Sequence, residues 1–145
     1  MKRTGTVVHQ YLVMAWLAGV ALTVFLAGLG VFETTKTSKL ADSTSTKLVE
    51  SNDLDPHRAA GTLLVLGTLL VLIAAGAARA NRRQIGMSAL FLVLGIAQLV
   101  LAGAGSGSGA FWGGLHVLNA FVLTGVAIGL LMEDRRILAG AAAAP

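Results

Sequence analysis

The stretch His57-Arg58-Ala59-Ala60-Gly61-Thr62-Leu63-Leu64-Val65-Leu66-Gly67-Thr68-Leu69-Leu70-Val71-Leu72-Ile73-Ala74-Ala75-Gly76-Ala77-Ala78 decides the fold. It contains no acid, and its single formal charge is at its second position. Coiled as a helix at about 1.5 Å per residue, such a run reaches roughly 30 Å, the thickness of a bilayer's hydrocarbon core. Three more apolar runs extend from about Val8 to Phe32, from about Met87 to Ala104 and from about Leu115 to Met132. Backbone polar groups in lipid must bond within their own segment, so each run is predicted to be a helix. Composition agrees. The 145 residues are 55% hydrophobic and 12% charged, with a mean hydropathy of +0.77; a soluble domain carries about 25% charged residues. The expected fold class is all-α, a four-helix transmembrane up-down bundle, with residues 1–145 forming a single membrane domain.

Charge sets the expected orientation. Lys2 and Arg3 precede the first span, Arg79, Arg82 and Arg83 lie between the second and third, and Arg135 and Arg136 follow the fourth. The positive-inside rule places these groups, and both termini, on the cytoplasmic side of the cell membrane. The first span begins with basic residues, but its apolar run is long for a signal peptide and reads as retained. The segment 33–56 carries five acids against three lysines and reads as an outer, solvated linker, with a short helix around Ala41 to Val49. Gly103 to Gly114 reads as a second outer loop, and the tail 139–145 as frayed. The absence of cysteine excludes disulfides, iron–sulfur clusters and covalent haem attachment. The net charge of +4 is accounted for by the span ends, so no nucleic-acid partner is implied. No HExxH-type zinc spacing, phosphate loop or membrane carboxylate chain is evident, the acids lying in loops and at span ends.

Two histidines then stand out. His57 opens the second span after Asp55-Pro56, a capping residue followed by proline in the first turn. His116 opens the fourth after Trp112-Gly113-Gly114-Leu115. In an up-down bundle these helices run in the same direction, stand diagonally and present both imidazoles at one depth near the outer face. Gly61 follows His57 at i+4; Gly113, Ala120 and Thr124 flank or follow His116 on its face. Small residues beside a histidine let a flat macrocycle lie against the backbone, and haem b with two imidazole ligands, His57 and His116, is the expected cofactor. The same small residues also let helices approach closely with no ligand. Arg58 has two readings of equal standing, a haem propionate partner on the one hand, and a snorkelling interfacial arginine or a partner for Asp53 or Asp55 on the other. His9 begins the first span on the inner side, too far away to share that ligand, and reads as an interfacial anchor with Tyr11 and Trp16. Gln98 and Asn119 need polar partners in lipid, and interhelical bonding is the expected outcome.

Three pieces carry a family resemblance: Phe25-Leu26-Ala27-Gly28-Leu29-Gly30-Val31-Phe32, His57-Arg58-Ala59-Ala60-Gly61 and Leu115-His116-Val117-Leu118-Asn119-Ala120. Together they resemble one four-helix half of haem A synthase, a cytochrome b-like haem bundle, and small bacterial four-span proteins of that superfamily. The resemblance implies haem ligation by His57 and His116 near the outer face. The synthase's carboxylate one turn before its first ligand has no counterpart, since Leu54 stands there, and a single half is present. Independent catalysis is therefore not expected. The first reading is a b-type haem protein acting in electron transfer or as an accessory subunit. The second is a cofactor-free scaffold subunit of a larger membrane complex. A haem-modifying enzyme comes third. The bilayer is the expected partner, with a host complex or a second copy of the chain beyond it.

Overall fold

A computed structural model describes residues 3–40, 54–108 and 110–142, with side-chain surroundings over 3–32, 54–105 and 111–142. Four helices account for nearly all of it: α1 (Arg3–Leu40), α2 (Asp55–Ala77), α3 (Arg82–Ser108) and α4 (Ala110–Ala142). All four are long and apolar enough to cross a membrane. Each packs antiparallel on its sequence neighbour, and α4 closes the ring against α1. That leaves α1 diagonal to α3 and α2 diagonal to α4, the expected up-down bundle.

Burial is inverted relative to a soluble bundle. Phe32 and Phe121 are 71% exposed, while His9, Gln84, Ser88 and Asp134 are fully buried. Large apolar side chains face outward around every helix, and polar ones bond between helices. This is the distribution that hydrocarbon surroundings select, since lipid solvates leucine but leaves a polar group unsatisfied. Midway along the bundle an apolar layer of Val13, Trp16, Val71, Phe91, Leu123, Ala127 and Leu130 fills the centre. Trp16 meets Phe91 edge to face at 4.6 Å.

Apart from Arg58, the described arginines cluster at one end. Gly5 of α1 touches Ala78 after α2, and Arg83 of α3 lies 3.9 Å from Glu133 of α4. A Cβ built on Gly5 would sit 2.6 Å from Ala78 Cβ and 3.0 Å from its Cα. Backbone cannot swing aside as a leucine tip can. Gly5→Ala is therefore expected to cost about 1–3 kcal/mol, read as a lower SDS midpoint in mixed micelles. An unchanged midpoint would mean that α1 and α2 are not in register here.

The α2–α3 turn ends α2 with two bonds, Ala80 N–H to Ala75 C=O and Arg79 N–H to Gly76 C=O, both 3.0 Å. This is the Schellman pattern, with Arg79 at φ 51° where glycine usually stands. Asn81 caps α3, its Oδ1 accepting from the Gln84 backbone N–H at 2.8 Å.

Several boundaries differ from the sequence reading. α1 continues past Phe32 to Leu40, and the expected short helix at 41–49 lies outside the described residues. Gly103 to Gly114 is not a loop: α3 runs to Ser108 and α4 starts at Ala110. The reason is contact. A Cβ on Gly105 would lie 3.2 Å from Gly113 N, so these glycines bring two helix backbones together instead of forming a turn. The tail, expected to fray from 139, is helical to Ala142. Asp55 is not the α2 cap. Leu54 occupies that position without a side-chain bond, and Pro56 lies in the first turn as expected.

Candidate ligand cavity between the four helices

In the half of the bundle away from the arginine cluster, all four helices line a cavity of about 470 Å³. This falls within the roughly 300–1,000 Å³ range of small-molecule sites. Its walls are mainly apolar, with Val20, Leu64, Val117 and Phe121 among them, and Trp16 and Leu123 continue it into the apolar layer. His57 and His116 both line it, as do Gly61, Ala120, Thr124 and Gln98.

Hydrogen bonds orient both imidazoles. His57 Nδ1 is 2.9 Å from the Thr23 carbonyl of α1. A carbonyl only accepts, so Nδ1 carries a hydrogen, and in a neutral ring that leaves the lone pair on Nε2. His116 Nδ1 stands 3.1 Å from the Gln98 carbonyl of α3, which imposes the same tautomer. Asn119 Nδ2 donates to the Leu94 carbonyl at 2.9 Å and to Gln98 Oε1 at 2.6 Å. With its oxygen so engaged, the Gln98 amide turns its nitrogen to His116 Nε2 at 3.3 Å. The expected interhelical bonding of Gln98 and Asn119 is thus present, and it extends to His116. Both histidines are held through Nδ1 by a neighbouring backbone, the manner in which proteins orient ligating imidazoles.

Arg58 and Gly113 fall outside the cavity wall. Arg58 Nη1 donates to Asp55 Oδ1 at 3.2 Å, with both side chains about half exposed. Gly113 packs on Gly105. Trp16 is no interfacial anchor: it is buried, and its indole N–H donates to the Leu64 carbonyl at 2.9 Å.

His9 is not an anchor either. It is fully buried in the arginine-bearing half, where its Nδ1 donates to Asp134 Oδ2 at 2.7 Å. Asp134 Oδ1 accepts from the Gln84 amide, and Ser88 Oγ lies 3.3 Å from His9 Nε2. The sequence reading assigned every acid to a loop or a span end, yet Asp134 is enclosed by α1, α3 and α4. The two polar centres are separated by the apolar layer. Among the described residues no group of three His, Asp or Glu side chains comes together as a metal site.

Residues 23–108, more than half of the chain, match DUF6220, a family of unknown function. The chain belongs to that family. The DUF6220 segment contains Thr23, His57, Gly61 and Gln98, and it ends before His116 and Asn119. No curated protein and no solved structure matches the chain.

Proposed function

We propose that this DUF6220 member is a b-type haem protein of the cell membrane, with His57 and His116 as the residues that would hold the haem iron in the outer half of the bundle. The observation that carries the reading is one apolar cavity lined by two histidines on diagonal helices, each bonded through Nδ1 to a backbone carbonyl. The donor set suits the group. Neutral imidazole nitrogens ligate iron, aliphatic walls suit a porphyrin face, and Gly61 and Ala120 keep the wall beside each histidine low. A bound haem b supplies one-electron exchange. The protein's part is to fix the two rings through Nδ1 and to exclude water; the Gln98 amide, 3.3 Å from His116 Nε2, would have to turn aside to free that lone pair for iron. Electron transfer or a haem-bearing subunit role follows from this. Arg58 is the nearest cation in sequence to His57, and a propionate contact would take it from Asp55. The positive-inside rule places the arginine-bearing end, with both termini, in the cytoplasm.

A second reading, a cofactor-free subunit of a larger membrane complex, draws on one specific observation. Gln98 already satisfies His116 Nε2 without a ligand. The test is the reduced-minus-oxidised spectrum of the full chain purified in detergent after haemin is supplied. The haem reading expects sharp alpha and Soret bands, abolished in His57→Ala and in His116→Ala. A wild-type protein that stays colourless would overturn it and leave the scaffold reading.

A further inference from the structure

The polar cluster in the arginine-bearing half has no part in the cavity. Thr6, His9, Gln84, Ser88 and Asp134 are all fully buried. Two of its oxygens, Thr6 Oγ1 and Gln84 Oε1, have no hydrogen-bond partner among the described residues. The Gln84 amide cannot simply be turned over to hide this, because only its nitrogen can donate to Asp134. Both orphaned groups adjoin His9. Thr6 lies one turn before it on the same face of α1, and Gln84 Nε2 is 3.4 Å from His9 Nδ1. Buried oxygens without partners are costly, most of all in a bundle surrounded by lipid.

We propose that this cluster is a proton-exchange site. Thr6 Oγ1 and Gln84 Oε1 hold one water molecule, through which the His9–Asp134 pair trades protons with the arginine-bearing face. Water fits the chemistry of the two oxygens: an amide oxygen only accepts, whereas a hydroxyl gives or takes, and a water bridges both. The charged groups around the cluster leave the pair to itself. On α4, Glu133 lies 3.9 Å from both Arg83 and Arg136. Arg3 of α1, Arg79 of the α2–α3 turn and Arg82 of α3 are exposed. Between His57 and its end at Ala77, α2 carries one charge, Arg58, near the opposite face. In each exchange one imidazole N–H bond breaks and another forms. The water oxygen takes one proton and gives one, so composition and charge are unchanged.

The experiment uses the full chain with 15N-labelled histidine in lipid nanodiscs. The solvent is switched from H2O to D2O, and the loss of each ring N–H signal is followed by NMR. Thr6→Val keeps the shape and removes only the orphaned hydroxyl. It is expected to slow exchange at His9 at least tenfold and to leave His57, on the far side of the apolar layer, unchanged. Thr6→Ser restores the hydroxyl and is expected to exchange at the wild-type rate. A wild-type rate in Thr6→Val overturns the proposal, as does a Thr6→Ser variant as slow as Thr6→Val. Water-edited spectra of the unmodified protein are independent of any variant: a water contact at His9 supports the site, and its absence overturns it.

Discussion

Asp134→Ala is expected to lower the stability of the bundle by about 2–4 kcal/mol, from two interhelical bonds worth about 0.6–1.7 kcal/mol each in a membrane and the orphaned groups they leave. Asp134 accepts from His9 of α1 and Gln84 of α3. Its removal strips partners from two other helices at once, in a place with no exposed surface. Chemistry, and not bulk, dominates this loss. Replacing both members of a buried pair by apolar residues is often neutral, because no charge or donor is then stranded. The double variant His9→Leu with Asp134→Leu still strands the Gln84 amide but leaves no imidazole without its acceptor, so it is expected to lie closer to the wild type than Asp134→Ala does. SDS titration in mixed micelles, followed by circular dichroism, measures both. A midpoint unchanged in Asp134→Ala would show that the cluster does not tie α1, α3 and α4 together.

Asp134 also shows where reading a sequence stops. It stands in Glu133-Asp134-Arg135-Arg136, a run that looks like a solvated span end, and its partner His9 is 125 positions away. Nothing local distinguishes it from Glu133, which is half-buried and lies 3.9 Å from two exposed arginines. Hydropathy made the four spans legible, because a bilayer imposes one length and one solvent on every segment. Alternating direction then made the pairing of His57 with His116 legible: two residues at the starts of the second and fourth spans share a level in any up-down bundle. Helix period did the same for Gly61 and Ala120 on the cavity wall. It failed for Gly103 to Ser108, where weak helix propensity suggested a loop and the contact of Gly105 with Gly113 prevailed. Gln98 and Asn119 were recognisable as polar groups in need of partners. Which partners they take depends on the depth at which α3 and α4 cross, and spacing along one chain does not set that.

Gly61→Leu is expected to separate haem binding from folding. Gly61 lies one turn beyond His57, lines the cavity, and a Cβ there meets nothing within 4 Å. A leucine side chain therefore projects into space and not into a neighbouring helix. Replacing glycine within a helix also removes a penalty of about 0.8–1 kcal/mol relative to a good helix former. The SDS midpoint is expected to stay level or rise. Haem content after reconstitution with haemin is expected to fall at least tenfold, since the added side chain occupies the volume beside His57 while both histidines remain. Stability and cofactor content thus move in opposite directions, which a general loss of structure cannot produce. Full haem content in Gly61→Leu would place the haem outside this cavity, whatever His57→Ala does to the spectrum.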